Sequence, residues 1–279
     1  SPVRLFTLVG ALTGTAAGAE PKDIRWGTGP VGSSGGKALV ALAGVLNKEM
    51  PEYRITVLPT PGAVTTVKGF ATGEFDGFYG SDVALREFAN DNGRFKGFRA
   101  QAKRVPVQSL WCYTLDVGLA IKASNRDRIK NWGDLSGKPV FTGPLPFDTR
   151  KHLENALAAL GVHHVYKQVD LATAGSQLSS GSIEAMIIYA AGGKIPPPWM
   201  SEASLAVDWA VLNPSDEELS KLKQANFGVE EVDPKALKRD KAYVTGATLL
   251  PFYWGFDVGL DVPAKDVHRM LTIIEKHAD

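Results

Sequence analysis

From about residue 20 the chain alternates short apolar runs with stretches in which apolar residues recur every three or four positions, a pattern of βαβ units with mostly parallel strands. Asp23 to Trp26 predicts a strand, Gly27 to Gly36 a loop, and the spacing of Leu39, Leu42 and Leu46 a helix that Pro51 ends. A strand over Arg54 to Leu58 precedes a helix over Ala63 to Ala71, with Gly73 as its C-cap. Phe75 to Tyr79 predicts a third strand, and Ser81 is placed to cap a helix running through Leu85 and Phe88.

Leu110 to Ile121 is a long apolar stretch broken by Asp116, read as a strand crossing between two lobes. The pattern then restarts. A strand at Pro139 to Phe141, a loop over Thr142 to Thr149 and a helix through Leu153, Leu157 and Leu160 repeat the first unit, and Gly161 ends that helix. A strand near Val165 to Val169, a helix near Ala172 to Ser180 and a strand at Glu184 to Tyr189 follow. Ile195 to Pro198 reads as loop, Ser215 as the cap of a polar helix, and Val229 to Asp240 as surface loop. Phe252, Trp254, Phe256 and Val258 alternate as a half-buried strand that returns the chain to the first lobe, and Pro263 opens a last helix. That helix is still periodic through Leu271 and Ile274 where the sequence stops at Asp279, so further sequence is expected beyond it. The expected division is a first lobe of residues 20–115 plus 247–279 and a second of 116–246.

A length of 279 residues suits two lobes, and 44% hydrophobic with 22% charged residues excludes a disordered or fibrous chain. The net charge of +1 carries no footprint for nucleic acid or an anionic membrane. With Cys112 as the single cysteine, no internal disulfide or cysteine-based zinc cluster can form. Residues 1–19 read as a signal peptide: Arg4, an apolar run from Leu5 to Leu12 too short for a bilayer of about 30 Å, and Ala17-Gly18-Ala19 before a cleavage point at Glu20. Ser1 is not a start methionine, so the basic end of that signal is expected upstream. Cleavage would leave a periplasmic protein.

Gly27, Gly29 and Gly32 spell the dinucleotide-binding G-x-G-x-x-G, but Leu58, Pro59 and Thr60 stand where a ribose-binding acid would be needed. Lys37 does not complete a phosphate loop, since Val31 and Ala38 occupy its glycine and hydroxyl positions. No cofactor is expected. What remains is three strand-to-helix corners: Ser33 and Ser34 at a helix start that attracts anions, Ser81 after Tyr79, and Asp148 or Thr149 as a cap with Arg150 available to a carboxylate. Ligands of open α/β sheets settle at such corners. No G-x-S-x-G elbow exists, Cys112 lies in an apolar run, and no enzyme is expected. His163 and His164 read as surface residues, and Trp111, Tyr113, Tyr189, Phe252 and Trp254 as mostly core.

The order of segments resembles the TAXI family, solute receptors of tripartite ATP-independent periplasmic (TRAP) transporters. Its carriers are the Gly-rich Gly27 to Gly36, Leu46-Asn47-Lys48, Pro61-Gly62-Ala63, Thr72-Gly73-Glu74-Phe75-Asp76, Ser81-Asp82-Val83-Ala84, Ile129 to Lys138 and the loop Thr142 to Arg150. The resemblance implies an α/β, type II-like two-lobed periplasmic binding protein, each lobe a mostly parallel sheet flanked by helices, with a ligand cleft between them. It implies a monomer that captures a small organic anion, such as a glutamate-like carboxylate, and delivers it to TRAP membrane permease subunits. Carried over, the contacts are Ser33, Ser34, Ser81, Thr149 and Arg150, with Tyr79 and Tyr189 as walls. The chain departs from the family in having Gly35 and Gly36 where two aromatic residues are usual, and Pro146, Phe147 and Asp148 in place of Gly-Ser-Gly; Asp148 is then a candidate partner for a ligand amine. An ABC-transporter receptor for a sulfonate, phosphonate or vitamin precursor shares the same plan, and a periplasmic enzyme or sensory module is the more distant alternative.

Overall fold

A computed structural model of the chain describes residues 20–239, 241, 246–259 and 261–278. The expected signal peptide lies outside the described residues. The first half builds β1 (Lys22–Thr28), α1 (Ser34–Glu49), β2 (Tyr53–Pro59), α2 (Ala63–Thr72), β3 (Gly77–Ser81) and α3 (Asp82–Ala89). After β4 (Leu110–Lys122) the alternation restarts with β5 (Pro139–Phe141), α4 (Asp148–Ala159), β6 (Val165–Tyr166), α5 (Ala174–Ser180) and β7 (Ala185–Ala191). Then come α6 (Pro198–Ala206), β8 (Trp209–Leu212), α7 (Asp216–Gln224), β9 (Glu230–Val232), β10 (Ala247–Asp257) and α8 (Ala264–Lys276).

The strand order is β2-β1-β3-β10-β4-β7-β5-β6, with β8 against β4 and β9 against β10. Parallel pairs make each half: β2, β1 and β3 in one, β6, β5 and β7 in the other. Between them run the two long strands β4 and β10, antiparallel to each other, with Phe252 opposite Leu115 and Leu250 opposite Val117. The expectation of mostly parallel sheets holds within each half and fails at the join. A chain that leaves a lobe on one strand and returns on the next must run the second strand backwards, so the joining pair is antiparallel and the sheet is mixed.

Both halves contribute large aromatic side chains to one continuous core. Trp26, Phe70, Phe78 and Phe256 are fully buried in the first, and Trp132, Phe141 and Trp209 in the second. The indole N–H of Trp132 donates to the carbonyl of Leu212 at 2.7 Å, which removes the cost of burying it. Among the described residues no helix is long and apolar enough to cross a membrane.

Several local expectations change. Pro198 is not loop but the first residue of α6, where its missing N–H is not needed; α6 and β8 were not visible as periodic segments. Val229 to Asp240 contains β9 and a turn of 3-10 helix over Pro234–Leu237. His164 is not a surface side chain: its Nε2 lies 3.2 Å from Glu154 with the side chain 6% exposed. Trp111, by contrast, is 47% exposed.

Asp116, in the crossing strand β4, is fully buried, and among the described residues its carboxylate has no well-formed hydrogen bond, only the Thr114 side chain and the Gly193 amide close by to oppose the effect of burial. Burial pushes its carboxyl up from 3.8 to about 6, helped by the charge of Glu230. Between those values the folded protein keeps a proton that the unfolded chain has released. The stability Asp116 contributes is therefore complete below about 3.8 and lost as pH rises through about 6. Asp116→Asn should gain up to roughly 3 kcal/mol over the parent at pH 8 and little at pH 4 in urea denaturation. An equal difference at both pH values would mean that the carboxylate is paired after all.

Candidate ligand cavity between the lobes

Helix α1 starts where the loop after β1 turns over: the amide of Ser33 donates to the carbonyl of Pro30 at 3.1 Å, and the hydroxyl of Ser33 accepts from the amide of Gly36 at 3.1 Å. Helix α4 starts differently. Its N-cap is Phe147, which has no side-chain acceptor, so Asp148, Thr149 and Arg150 form a first turn whose amides no side chain caps. The expectation that Asp148 or Thr149 would cap this helix is thus corrected, because they are its first and second residues, inside the cap. The two helix starts, one from each half, border a single cavity of about 60 Å³. By that measure each water needs roughly 10–15 Å³, so the space suits a few waters or one small polar head group.

Tyr79, at the end of β3, forms one wall. Its ring stacks on Trp254 at 4.7 Å and 18°, its hydroxyl is hydrogen-bonded to that of Tyr113, and its carbonyl accepts from the Thr66 hydroxyl at 2.6 Å. The Cε1–Cζ edge of the ring presses against α1, and this is possible only because position 35 is glycine: a Cβ there would sit 2.0 Å from Tyr79 Cε1. Burial pushes the Tyr79 and Tyr189 hydroxyls upward, Tyr189 to about 12, so both remain protonated donors. The Tyr189 hydroxyl accepts from Trp199 at 3.2 Å. Two further groups on the walls, Thr149 Oγ1 and Trp254 Nε1, are buried and find no partner among the described residues.

Asp148 borders the same cavity but is already engaged. Its carboxylate accepts from the hydroxyl of Ser81 and from Arg94 Nη1, the latter at 2.5 Å, and Arg94 Nε also donates to Glu87 at 2.6 Å. Burial raises the Asp148 carboxyl, while Arg94 and Ser81 oppose that shift. With both oxygens committed, Asp148 ties α4 to the first half, and the idea that it receives a ligand amine loses its basis.

Of the eight residues singled out from sequence, Ser33, Ser34, Tyr79, Asp148, Thr149 and Tyr189 line this cavity. Ser81 does not: it is fully buried, accepting from the amide of Ala84 at 3.2 Å as it donates to Asp148. Arg150 is not brought in either. Its guanidinium lies over the Tyr166 ring at 4.2 Å, with Nη2 3.7 Å from Glu154. As the third residue of α4 it leaves the helix on the side of β6, away from α1. Sequence reading missed Trp254 and Gly62 on the walls and Arg94 behind them. Gly62 faces the carbonyl of Pro146 across the seam, where a Cβ would be 3.0 Å from that oxygen. The alternation of β10 places Trp254 on a face without saying which cavity it meets, and Arg94 carries no local signal. Of the G-x-G-x-x-G glycines, Gly27 finds its use in packing, since a Cβ there would strike the Phe75 ring at 2.6 Å, and Gly32 in a left-handed turn with φ 82°.

No protein-family model and no curated protein sequence matches the chain. Solved structures do. The periplasmic aliphatic sulphonate binding protein SsuA from Escherichia coli superposes with a TM-score of 0.52 at 17% identity, covering 92% of this chain and 69% of its own. The protein ytmK from Bacillus subtilis, described as a probable amino-acid ABC transporter extracellular-binding protein, superposes with a TM-score of 0.52 at 14% identity, covering 92% and 93%. The fold is that of two-lobed periplasmic-binding-protein-like molecules.

Proposed function

We propose that this chain is an extracytoplasmic solute receptor that binds a small organic anion between a lobe of residues 20–115 plus 247–279 and a lobe of residues 116–246. The observation that carries the proposal is the meeting of two helix N-termini from opposite halves on one cavity, with Thr149 and Trp254 left without partners beside them. Helix N-termini present free amides and a positive partial charge, so together they favour a carboxylate, sulfonate or similar group. The negative charge that could repel such a solute, Asp148, is matched by Arg94. The contacts are Ser33, Ser34 and Thr149, with Tyr79, Tyr189 and Trp254 as walls. The protein acts as a monomer, without catalysis or cofactor, and its lobes hinge about β4 and β10 to admit solute.

The reading is tested by melting the protein against a panel of carboxylates, sulfonates and amino acids. A solute at a hundred times its dissociation constant should add roughly 2.7 kcal/mol of stability; a panel with no shift counts against the reading. Arg150→Ala should leave the affinity of the solute so found unchanged, since Arg150 points elsewhere; a tenfold loss by calorimetry would return it to the site.

The order of segments supports delivery to TRAP permease subunits, whereas the two similar structures described above are of proteins named as an aliphatic sulphonate binder and as a probable amino-acid ABC transporter extracellular-binding protein. Uptake in vesicles carrying the cognate permease separates them. A TRAP partner is driven by an ion gradient and an ABC partner by ATP.

A further inference from the structure

We infer that the solute carries an apolar tail, which lies in a second cavity on the other side of the Tyr79–Tyr113 pair. This rests on the reading of the first cavity as an anion site. That cavity, at about 60 Å³, accepts a head group and little more. A second cavity of about 530 Å³ shares a wall with it at Ser34, and the two are divided by the hydrogen-bonded hydroxyls of Tyr79 and Tyr113: Tyr79 faces the first, Tyr113 the second.

The second cavity lies between the halves, like the first. Its floor and far side are Tyr113, Ala38 and Ala191 with the run Ile195 to Pro198. Lys37 and Lys194 also border it, and among the described residues no acidic one does. Ile195 is 69% exposed, yet it is held in place. Its amide and carbonyl both pair with Ala191, at 3.1 and 2.9 Å, and Pro197 and Pro198 form the rigid start of α6 two residues on. An exposed isoleucine fixed by two backbone bonds, followed by three prolines that lose little freedom on being covered, is a preorganised apolar surface rather than a loose loop. Its continuity with the head-group cavity at Ser34 makes the remainder of the bound solute its natural occupant. The preferred solutes are therefore anions with an aliphatic or aromatic tail, and small polar amino acids are poor ligands.

The test is calorimetric titration of the full chain with unbranched carboxylates from acetate to octanoate, and with the matching sulfonates. Affinity is expected to rise by about two- to fourfold per methylene along the series, the upper figure being that of a fully buried methylene. Ile195→Asp, an exposed change, should flatten that rise while leaving acetate binding at the parent level. An affinity that stays level or falls with chain length, or a rise that Ile195→Asp leaves intact, overturns the tail site while the head-group reading stands. If no member of either series binds, the anion reading fails and the tail site falls with it. Whichever series binds better identifies the head group.

Discussion

Replacing Arg94 by alanine is expected to cost about 3–5 kcal/mol of folding free energy, the most of any single change considered for this protein. Asp148 is fully buried, and among the described residues its only charged partner at hydrogen-bond distance is Arg94; the Ser81 hydroxyl alone cannot neutralise it. Removing the guanidinium leaves a carboxylate in a low-dielectric seam, where it must either take up a proton or draw water in. Urea denaturation of Arg94→Ala and of the double variant Arg94→Ala with Asp148→Asn checks the cause. The second change removes the stranded charge and should recover much of the loss, a coupling that independent sites would not show. A cost below about 1 kcal/mol for Arg94→Ala would mean that the seam between α3 and α4 opens readily and lets solvent reach Asp148, and scattering would then show a larger particle.

The second large effect is at Gly35. A methyl group there lies 2.0 Å from Cε1, 2.5 Å from Cζ and 2.7 Å from the hydroxyl oxygen of Tyr79. The ring cannot retreat, because Trp254 stacks on it and Tyr113 holds its hydroxyl. Gly35→Ala should therefore destabilise the protein by about 1–3 kcal/mol as an overpacked site. It should also weaken the solute found in the panel by about tenfold to a hundredfold, since the displaced ring belongs to the wall of a small cavity. The control is in the same helix. Gly44 has nothing within 4 Å of its Cβ position, and Gly44→Ala should stabilise by about 0.5–1 kcal/mol through helix propensity alone, with binding unchanged. Equal effects of the two changes on binding would show that Gly35 is important to α1 as a helix and not to the cavity.

Much of the first half was legible because its signals are local. The 3.6-residue period of Leu39, Leu42 and Leu46, the left-handed glycine after α2 and the serine before α3 each act within one turn of helix, and each stands where expected. The capping box of Ser215 and Glu218 belongs to the same class. Legibility failed where a residue's role depends on a neighbour distant in sequence. Short β8 and β9 have no period long enough to read, and they exist because β4 and β10 offer edges to pair with. Asp148 looked like a helix cap by its position, yet the carboxylate turns to Ser81 and Arg94, 67 and 54 residues away, since a buried charge gains more from a guanidinium than from an amide.

The corners that form the cavity wall were readable one by one, for a strand, a small-residue loop and a helix start are written in consecutive residues. Ser33, Ser34 and Thr149 could thus be singled out as places where an anion would find amides. Which of them share a cavity, and on which side of α4 Arg150 emerges, follows from how the two halves pack along β4 and β10. The same packing sets the height of the Tyr79 ring over Gly35 and the partition it makes with Tyr113. Hydrophobic periodicity specifies which face of an element is buried; the rotation of one element against another comes from side-chain interlocking across the whole core, which no stretch of sequence encodes on its own.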